Sequence, residues 1–382
     1  MNGPCTLYLM DISYFSGKIE GYLRYKEIPH KRHYVKWGEM SGKILRNTGH
    51  MRVPVIQTAE GEWLQDSTPM IDWFEARHPE GPVLPEDPAL AFFCRLLEDY
   101  ADEWMWRPAL HYRWSLEEDA RALSEHFART FLSDSPFPLS VTAKMARERQ
   151  RKTYVRDDGV SDETREHVEG IYLKTLDRLE AVLARSPYLL GAKPSLADFG
   201  FFASMFRHFS QDPTPARIMQ DRAPGVYEWV ARLWNARASK FEKAKFANTL
   251  PKAWSPILED IGEAYLPYLA ENARAWHGRR RHFDLSVQGA SYKNLPTVQY
   301  RVWCRERLQD HFEALPEEAK PEVEKTLRAH GCWEPLWQGG RIASNLHAGN
   351  TPPLCRPRKV GTAERVRRYF SGIEWNLPGA WD

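Results

Sequence analysis

The first 80 positions alternate between short apolar runs and amphipathic stretches. Residues 5–10 form an apolar run of β-forming side chains and predict a strand. Residues 14–26 repeat apolar side chains at helical spacing, and Pro29 ends that predicted helix. Residues 33–35 predict a second strand, which a helical connection would place parallel to the first.

A hairpin and a second helix are predicted next. Residues 41–51 are polar and predict an irregular segment. Residues 53–56 and 63–64 flank a turn and predict two antiparallel strands. A helix then extends to about residue 77, with Ser67 as its N-cap. The order of elements is therefore strand–helix–strand followed by strand–strand–helix.

Helical periodicity dominates the next part of the chain. Residues 78–88 contain four prolines and one glycine and predict a linker between domains. Ser195 and Asp198 form a capping box ahead of an apolar helix. Further helices are predicted over 89–114 with a kink at Pro108, over 162–184 and over 223–234.

Residues 251–382 form a third region. Periodicity predicts helices over 257–276, 298–315 and 317–330, a strand over 282–287, and a basic tail rich in glycine and proline. The region carries many tryptophan and tyrosine side chains, and exposing that much apolar surface would favour aggregation. We therefore expect it to pack on the helical domain of its own chain or of a partner.

Composition narrows the function classes. Hydrophobic residues make up 42% and charged residues 27% of the 382 positions, which is typical of a globular protein. A net charge of +2 gives no strong field for nucleic acid, and the basic runs at 279–281 and 356–368 come with no nucleic-acid-binding motif. Neither a membrane-spanning stretch nor a secretory signal pattern is present. Five dispersed cysteines indicate no disulfide framework and no zinc site, so we expect a metal-free cytoplasmic protein.

Four local motifs follow one another along the chain. They are Ser13-Tyr14-Phe15-Ser16-Gly17-Lys18, Val53-Pro54-Val55, Leu64-Gln65-Asp66-Ser67, and Leu189-Leu190-Gly191 followed by Ser195-Leu196-Ala197-Asp198-Phe199. In this order and spacing they resemble the serine-type glutathione transferase family. The resemblance implies an α/β thioredoxin-like domain over residues 1–80, an all-helical domain over 89–250 and a homodimer. Residues 251–382 lie outside the usual fold of the family, and we expect them to be mostly helical.

The resemblance also implies a glutathione site at the edge of the first domain. Val53 would pair through its main chain with the cysteinyl part of glutathione, because Pro54 is cis in the family. Asp66 and Ser67 would hold the γ-glutamyl end at a helix start, although a plain N-cap is the alternative. The cations that would hold the glycine carboxylate are Arg52, His50 and Lys43, each of which could instead be a solvated surface charge.

A hydroxyl is expected to polarise the glutathione thiol. The resemblance places Ser13 at the catalytic serine position, with Tyr14 ranked second and Ser16 third. A thiol with a pKa near about 8.5 is mostly protonated at neutral pH, so a donated hydrogen bond and a helix N-terminus would favour the thiolate. Capping of the helix by Ser13 is compatible with this role. The segment carries no cysteine, which disfavours a glutathione-dependent thiol reductase.

An aromatic stripe suggests where the second substrate binds. Tyr100, Trp104 and His111 share one face of the first helix after the linker. Since that helix borders the electrophile site in the family, they are candidates, with Tyr14, for an aromatic-preferring pocket. The alternative is that the stripe is core. Asp102 and Arg107 are interpreted as solvent or dimer-interface charges.

The function predicted from these features is that of a glutathione-dependent transferase. It would add or exchange glutathione thiolate on a hydrophobic, aromatic electrophile, as detoxifying enzymes do. Its partners would be glutathione as cosubstrate and a small-molecule electrophile, without nucleic acid or membrane. The alternative from another class is a non-catalytic scaffold or interaction protein with the same fold.

Overall fold

The amino-terminal part of the molecule is a four-stranded sheet. The computed structural model of the chain describes residues 3–347, 351–355, 357 and 361. Strands β1 (Cys5–Leu9), β2 (His30–Tyr34), β3 (Val55–Gln57) and β4 (Trp63–Gln65) lie in the order β2-β1-β3-β4. β2 is parallel to β1, whereas β3 and β4 are antiparallel to their neighbours. Helix α1 (Tyr14–Tyr25) connects β1 to β2, which confirms the predicted thioredoxin-like arrangement.

Alternate residues of the sheet serve two cores. Leu7, Leu9 and Ile56 join the main core, which continues into the helical part of the molecule. Tyr8 and Val55 face the opposite side, where a smaller apolar cluster covers the sheet. This division follows from the two-residue period of a strand, which sends successive side chains to opposite faces.

The segment predicted to be irregular, 41–51, is mostly helical, so that prediction is wrong. Helix α2 (Trp37–Glu39), a π-helical turn (Met40–Ile44) and helix α3 (Leu45–Thr48) follow one another. Met40 and Ile44 pack against the Tyr8 face of the sheet, and this burial outweighs the polar local composition. Gly49 ends α3 with φ 81°, a left-handed conformation that suits glycine.

Helices make up most of the chain after β4. They are α4 (Ser67–Glu75), α5 (Pro88–Glu103), α6 (Trp106–Ser115), α7 (Glu117–Thr130), α8 (Leu139–Gln150) with a π-helical turn (Arg151–Arg156), α9 (Arg165–Leu183), α10 (Leu196–Ser204) with a π-helical turn (Met205–Phe209), α11 (Pro213–Arg222) and α12 (Pro224–Asn235). The predicted helical second domain is thus confirmed. No helix in the described part of the chain combines the length and apolar character needed to cross a membrane.

Two local predictions in this part have different outcomes. The long helix breaks at Trp104 and Met105 rather than at Pro108, which lies in the first turn of α6, where a proline costs no helical hydrogen bond. The capping box at the start of α10 is confirmed. The Asp198 carboxylate accepts the Ser195 N–H at 2.8 Å, and the Ser195 hydroxyl accepts the Asp198 N–H at 3.4 Å.

The third region is folded. Its elements are a 3₁₀ turn (Lys252–Trp254), α13 (Ser255–Asp260) with a π-helical turn (Ile261–Tyr265), α14 (Leu266–His277), β5 (His282–Val287), β6 (Ala290–Pro296), α15 (Gln299–Glu313), α16 (Lys320–Ala329) and α17 (Trp333–Trp337). β5 and β6 pair as an antiparallel hairpin, of which only β5 was predicted. The side chains of 279–281 are exposed, whereas most of the basic run 356–368 lies outside the described residues.

The third region packs on the helical part of its own chain. Helices α15 and α16 lie against α5, and Trp254 and Tyr265 are fully buried in the main core. That core contains residues from all three predicted regions, from β1 to α17. The domain limits 1–80, 89–250 and 251–382 therefore remain predictions.

A buried ion pair fastens α15 to α5. The Arg301 guanidinium donates to the Glu103 carboxylate at 3.1 Å, and the two side chains are 2% and 9% exposed. Asp158 lies 3.5 Å from the same guanidinium. A buried carboxylate that loses its cation is left with an uncompensated charge, which makes this contact sensitive to mutation.

We expect Arg301→Met to lower the free energy of unfolding by about 3–5 kcal/mol, because Glu103 would stay buried without its cation. Denaturant unfolding measures the change. Arg341→Met is the matched control, since Arg341 pairs with Asp310 and Glu313 of the same helix α15 but is 42% exposed. Its cost should be about 1 kcal/mol or less. Equal effects of the two substitutions would contradict a buried, fastening role for Arg301.

Candidate functional site

Ser13 lies at the start of α1, just beyond the end of β1. It is the N-cap of the helix, and its Oγ accepts the Ser16 N–H at 3.3 Å. The side chain is half-buried, and its hydroxyl hydrogen is not used in that contact. Capping by the oxygen therefore leaves Ser13 able to donate a hydrogen bond toward solvent or a ligand.

The two competing hydroxyls are directed elsewhere. Tyr14 is 2% exposed and its hydroxyl donates to the Ala101 carbonyl of α5 at 2.6 Å. Burial raises the pKa of Tyr14 well above its usual range. Ser16 is fully buried, and its Oγ accepts the Met10 N–H at 3.4 Å. Neither geometry brings a hydroxyl to the open start of α1, so Ser13 is the remaining donor of the three.

Lys18, the last residue of the first motif, belongs to a buried cluster between the sheet and the helices. Its ammonium donates to Glu98 at 2.5 Å, to Thr68 at 3.1 Å and to Asp102. Asp102 is therefore no solvent or interface charge, which corrects the interpretation from the sequence. Arg107 is likewise 2% exposed and lies 3.3 Å from the Asp158 carboxylate.

Val53 lies two residues before the start of β3, and its main-chain polar groups are available there. The Val53–Pro54 peptide bond is cis, as the family resemblance implied. Val53 is half-buried, and among the described residues its N–H and C=O form no hydrogen bond. The Gln65 side-chain amide holds the neighbouring Arg52 carbonyl at 3.1 Å. An extended ligand could pair with the Val53 main chain without displacing a contact in the described chain.

Asp66 and Ser67 form the start of α4. Asp66 rather than Ser67 is the N-cap, with φ 80°, and Ser67 is the first helical residue. Asp66 is half-buried, and its Oδ1 accepts the Tyr300 hydroxyl of α15 at 3.1 Å. Burial raises the pKa of Asp66 to about 6, against the opposing effects of Arg307, Tyr300 and Lys18. A residue of the third region thus touches the carboxylate that the sequence placed in the site.

The three cations predicted for the glycine carboxylate do not all lie near Val53. Arg52 is exposed and His50 is half-buried, both next to Val53. The Lys43 ammonium donates to the Tyr8 hydroxyl at 2.5 Å, which donates to Gln57 at 3.2 Å, at the end of β3 opposite Val53. Lys43 therefore does not reach the candidate site, which corrects that assignment.

The predicted aromatic pocket is core. Tyr100 and Trp104 are 0% and 2% exposed and pack edge-on or tilted against Tyr265 of the third region. His111 is 1% exposed and contacts Ser115 and Glu169. Tyr100 and His111 belong to two helices, α5 and α6, and both pack inward, so these residues and Tyr14 line no open pocket. Burial of a helix face explains an aromatic stripe as well as a substrate site would.

Comparison with known families finds two matches in this chain. Residues 7–82 match the model of the glutathione S-transferase N-terminal domain, and residues 162–232 match that of the C-terminal domain. Residues 7–82 and 162–232 therefore carry the two domains of the glutathione transferase family. Glutathione is the cosubstrate of this family, and the chain carries both of its domains in the family's order. The chain matches none of the curated proteins with which it was compared.

Solved structures similar to this glutathione transferase include three bacterial proteins. The β-etherase LigF from Sphingobium sp. strain SYK-6 is 21% identical with a TM-score of 0.44, over 62% of this chain and 98% of its own. A glutathione S-transferase from Methylobacterium radiotolerans, solved with glutathione sulfonate, is 19% identical with a TM-score of 0.39, over 65% and 98%. One from Rhodospirillum rubrum F11 is 15% identical with a TM-score of 0.42, over 65% and 97%.

The third region also contacts the amino-terminal sheet, along its outer strand β4. The Gln65 N–H donates to the Pro353 carbonyl at 3.0 Å, and the Cys355 N–H donates to the Trp63 carbonyl at 2.7 Å. Residues 351–355 thereby add a short antiparallel pairing to β4. A cleft of about 340 Å³ separates this segment from α4 and α15, and it is lined by Pro69, Asp72, Trp73, Trp303, Arg307, Pro352 and Pro353.

The sequence motifs could not identify these contacts from the third region. The spacing of Tyr300, Trp303 and Arg307 does predict one helix face, because they lie three and four residues apart. Nothing in that spacing indicates that the face meets α4. Pairing of residues 351–355 with β4 had no signal either, since the two segments are almost 300 positions apart.

Proposed function

We propose that this protein transfers glutathione thiolate to a hydrophobic electrophile, by conjugation, substitution or thiolytic cleavage. One observation supports the proposal: three groups of candidate residues lie at the same end of the sheet. Tyr8 pairs with Val55 and Val55 with Gln65, so the ends of β1 and β4 and the start of β3 lie side by side. Ser13 follows β1, Val53 precedes β3, and Asp66 and Ser67 follow β4, so all of them lie at this end of the sheet.

The proposed binding mode uses each of these groups once. The Val53 main chain would pair with the cysteinyl backbone of glutathione. The Ser67 hydroxyl and the first N–H groups of α4 would bind the γ-glutamyl carboxylate, where the helix dipole favours an anion. Asp66 would pair with the ammonium group of the same residue. Arg52 and His50 are adjacent to Val53 and are the candidates for the glycine carboxylate.

The proposed chemistry rests on Ser13. Its hydroxyl, already oriented by capping α1, would donate a hydrogen bond to the glutathione sulfur. A charge-assisted bond to sulfur and the positive end of α1 both favour thiolate over thiol. The thiol proton would leave to solvent, and the thiolate would attack the electrophilic centre while the leaving group departs.

Half-buried side chains next to Ser13 replace the predicted aromatic pocket. Ile12, Trp106 and Tyr154 share an apolar cluster and remain half-buried. The Trp106 and Tyr154 rings meet edge to face with centroids 5.7 Å apart. We propose that a hydrophobic electrophile contacts these three side chains, because Ile12 adjoins Ser13 in the sequence and shares its apolar cluster with the other two.

The alternatives differ in what they require of the site. A glutathione-dependent thiol reductase needs a reactive cysteine, but Cys5 on β1 is fully buried and burial raises its pKa to about 11. A non-catalytic scaffold with the same fold is the second alternative, and it requires no turnover at this site. Binding of glutathione followed by turnover of a model electrophile separates the scaffold from the enzyme.

Ser13→Ala should lower turnover of a model electrophile by about 10²-fold or less, the usual effect of removing one donor to a developing or stabilised anion. Glutathione affinity should change little, since the sulfur contact contributes mainly to thiolate formation. Tyr14→Phe is the control, because its hydroxyl is bound to the Ala101 carbonyl. Steady-state kinetics of both variants give the answer. Full activity in Ser13→Ala with a large loss in Tyr14→Phe would assign the role to Tyr14 instead.

Asp66→Asn and Ser67→Ala should each weaken glutathione binding by about 1–3 kcal/mol, the cost of a lost charge-assisted or buried hydrogen bond. Isothermal calorimetry measures it directly. Asp87→Asn is the matched control: Asp87 caps the neighbouring helix α5, where its carboxylate accepts the Leu90 N–H at 2.7 Å, away from the proposed site. Wild-type affinity in both site variants would exclude α4 as the γ-glutamyl site.

A further inference from the structure

One face of α15 is turned toward the start of α4. Tyr300, Trp303, Cys304 and Arg307 recur at intervals of three and four residues, so they share a side of the helix. Cys304 is buried, whereas Tyr300, Trp303 and Arg307 are half-buried and stay within reach of solvent. The same face lines the cleft beside Pro69 of α4. α15 therefore brings polar groups to the γ-glutamyl end of the proposed site.

Tyr300 makes the direct contact. Its hydroxyl donates to Asp66 Oδ1 at 3.1 Å, and its ring packs on Trp303 with centroids 5.1 Å apart. Although Asp66 is the N-cap of α4, its carboxylate accepts no hydrogen bond from the N–H groups of that helix. Tyr300 is thus the described side chain that sets the direction of this carboxylate.

Arg307 supplies positive charge about two turns further along α15, seven residues after Tyr300. Its guanidinium donates to Asp72 at 3.1 Å and lies 4.8 Å above the Trp303 ring, which fixes its position. Burial raises the pKa of the Asp66 carboxyl group, whereas the positive charges of Arg307 and of Lys18 in α1 lower it. The Glu103 carboxylate of α5 raises the pKa of Asp66. Burial raises the pKa of the Cys304 and Cys355 thiols, and the Asp66 charge acts on both in the same direction.

We infer that Tyr300 is a positioning residue for glutathione, which holds the Asp66 carboxylate in place as the partner of the γ-glutamyl ammonium. The inference rests on the proposed function and extends it: the glutathione site includes the third region. Tyr300 touches Asp66 rather than the ligand, so its effect is transmitted through that carboxylate.

This role has a pH signature. Asp66 must be ionised to attract an ammonium group, and its pKa of about 6 makes affinity fall as the pH drops through that value. Removing the Tyr300 hydroxyl removes a bond that favours the ionised form, so the pKa of Asp66 rises and the loss of affinity begins at higher pH. At alkaline pH Asp66 is ionised in both proteins, and their affinities should converge.

The experiment compares Tyr300→Phe with Tyr265→Phe in the full-length protein. Tyr265 is the matched control, because its hydroxyl donates to the Asp99 carboxylate of α5 at 2.6 Å, also from the third region but outside the proposed site. Glutathione affinity is measured by calorimetry between about pH 5.5 and 8.5. A one-unit rise in the pKa of Asp66 corresponds to about fivefold weaker binding at pH 6 in Tyr300→Phe, with recovery near pH 8.5. Tyr265→Phe should follow the wild-type profile.

A third variant tests transmission through Asp66. In the background of Asp66→Asn, Tyr300→Phe should cause no further change in affinity, because its target carboxylate is gone. Wild-type behaviour of Tyr300→Phe would overturn the inference and leave the proposed function intact. A loss that is the same at every pH, or that persists in Asp66→Asn, would also overturn it, as a purely structural effect. Absence of glutathione binding by the wild-type protein would overturn both.

Discussion

Helix α5 has no exposed side, so each of its charged side chains needs a partner from another part of the chain. Every residue from Pro88 to Glu103 is buried or half-buried. Burying an unpaired charge costs several kcal/mol, and this constraint decides what surrounds the helix. Glu98 and Asp102 form ion pairs with Lys18 of α1, whereas Glu103 forms one with Arg301 of α15. Helix α1 and the third region are thereby both held on one helix.

The candidate site lies where these two attachments meet. Thr68, in the first turn of α4, hydrogen-bonds both Lys18 and Glu98 of the buried cluster, which orients the start of that helix. Tyr300 is the residue before Arg301, so the ion pair that fastens α15 also brings the Tyr300 hydroxyl to Asp66. The third region accordingly contacts the candidate site through Tyr300, in addition to covering the helical domain.

The sequence predicted what depends on local pattern and on family motifs. The order of the sheet elements, the capping box at Ser195 and the cis bond before Pro54 followed from short segments. Burial was harder to anticipate: the stripe of Tyr100 and Trp104 has the same spacing whether it lines a pocket or a core. The helices between Trp37 and Thr48 form because the sheet covers Met40 and Ile44, which local composition does not encode.

Long-range contacts were beyond prediction for a different reason. The Tyr300–Asp66 bond joins residues 234 positions apart, and the pairing of Gln65 with Pro353 spans a similar interval. The Tyr300 contact depends on the register of α15 against α5, which a buried ion pair sets. No periodicity within either segment reports that register. The polar character of Asp66 and Ser67 was therefore visible in the sequence, but the residues that face them were not.

The central claim is that glutathione binding involves the third region as well as the glutathione transferase domains. Hydrogen–deuterium exchange, followed by mass spectrometry with and without saturating glutathione, tests this most directly. We predict that the ligand slows amide exchange both at the start of α4 and along α15, because Asp66 connects the two. Protection confined to residues before 250, with exchange in α15 unchanged, would contradict the account.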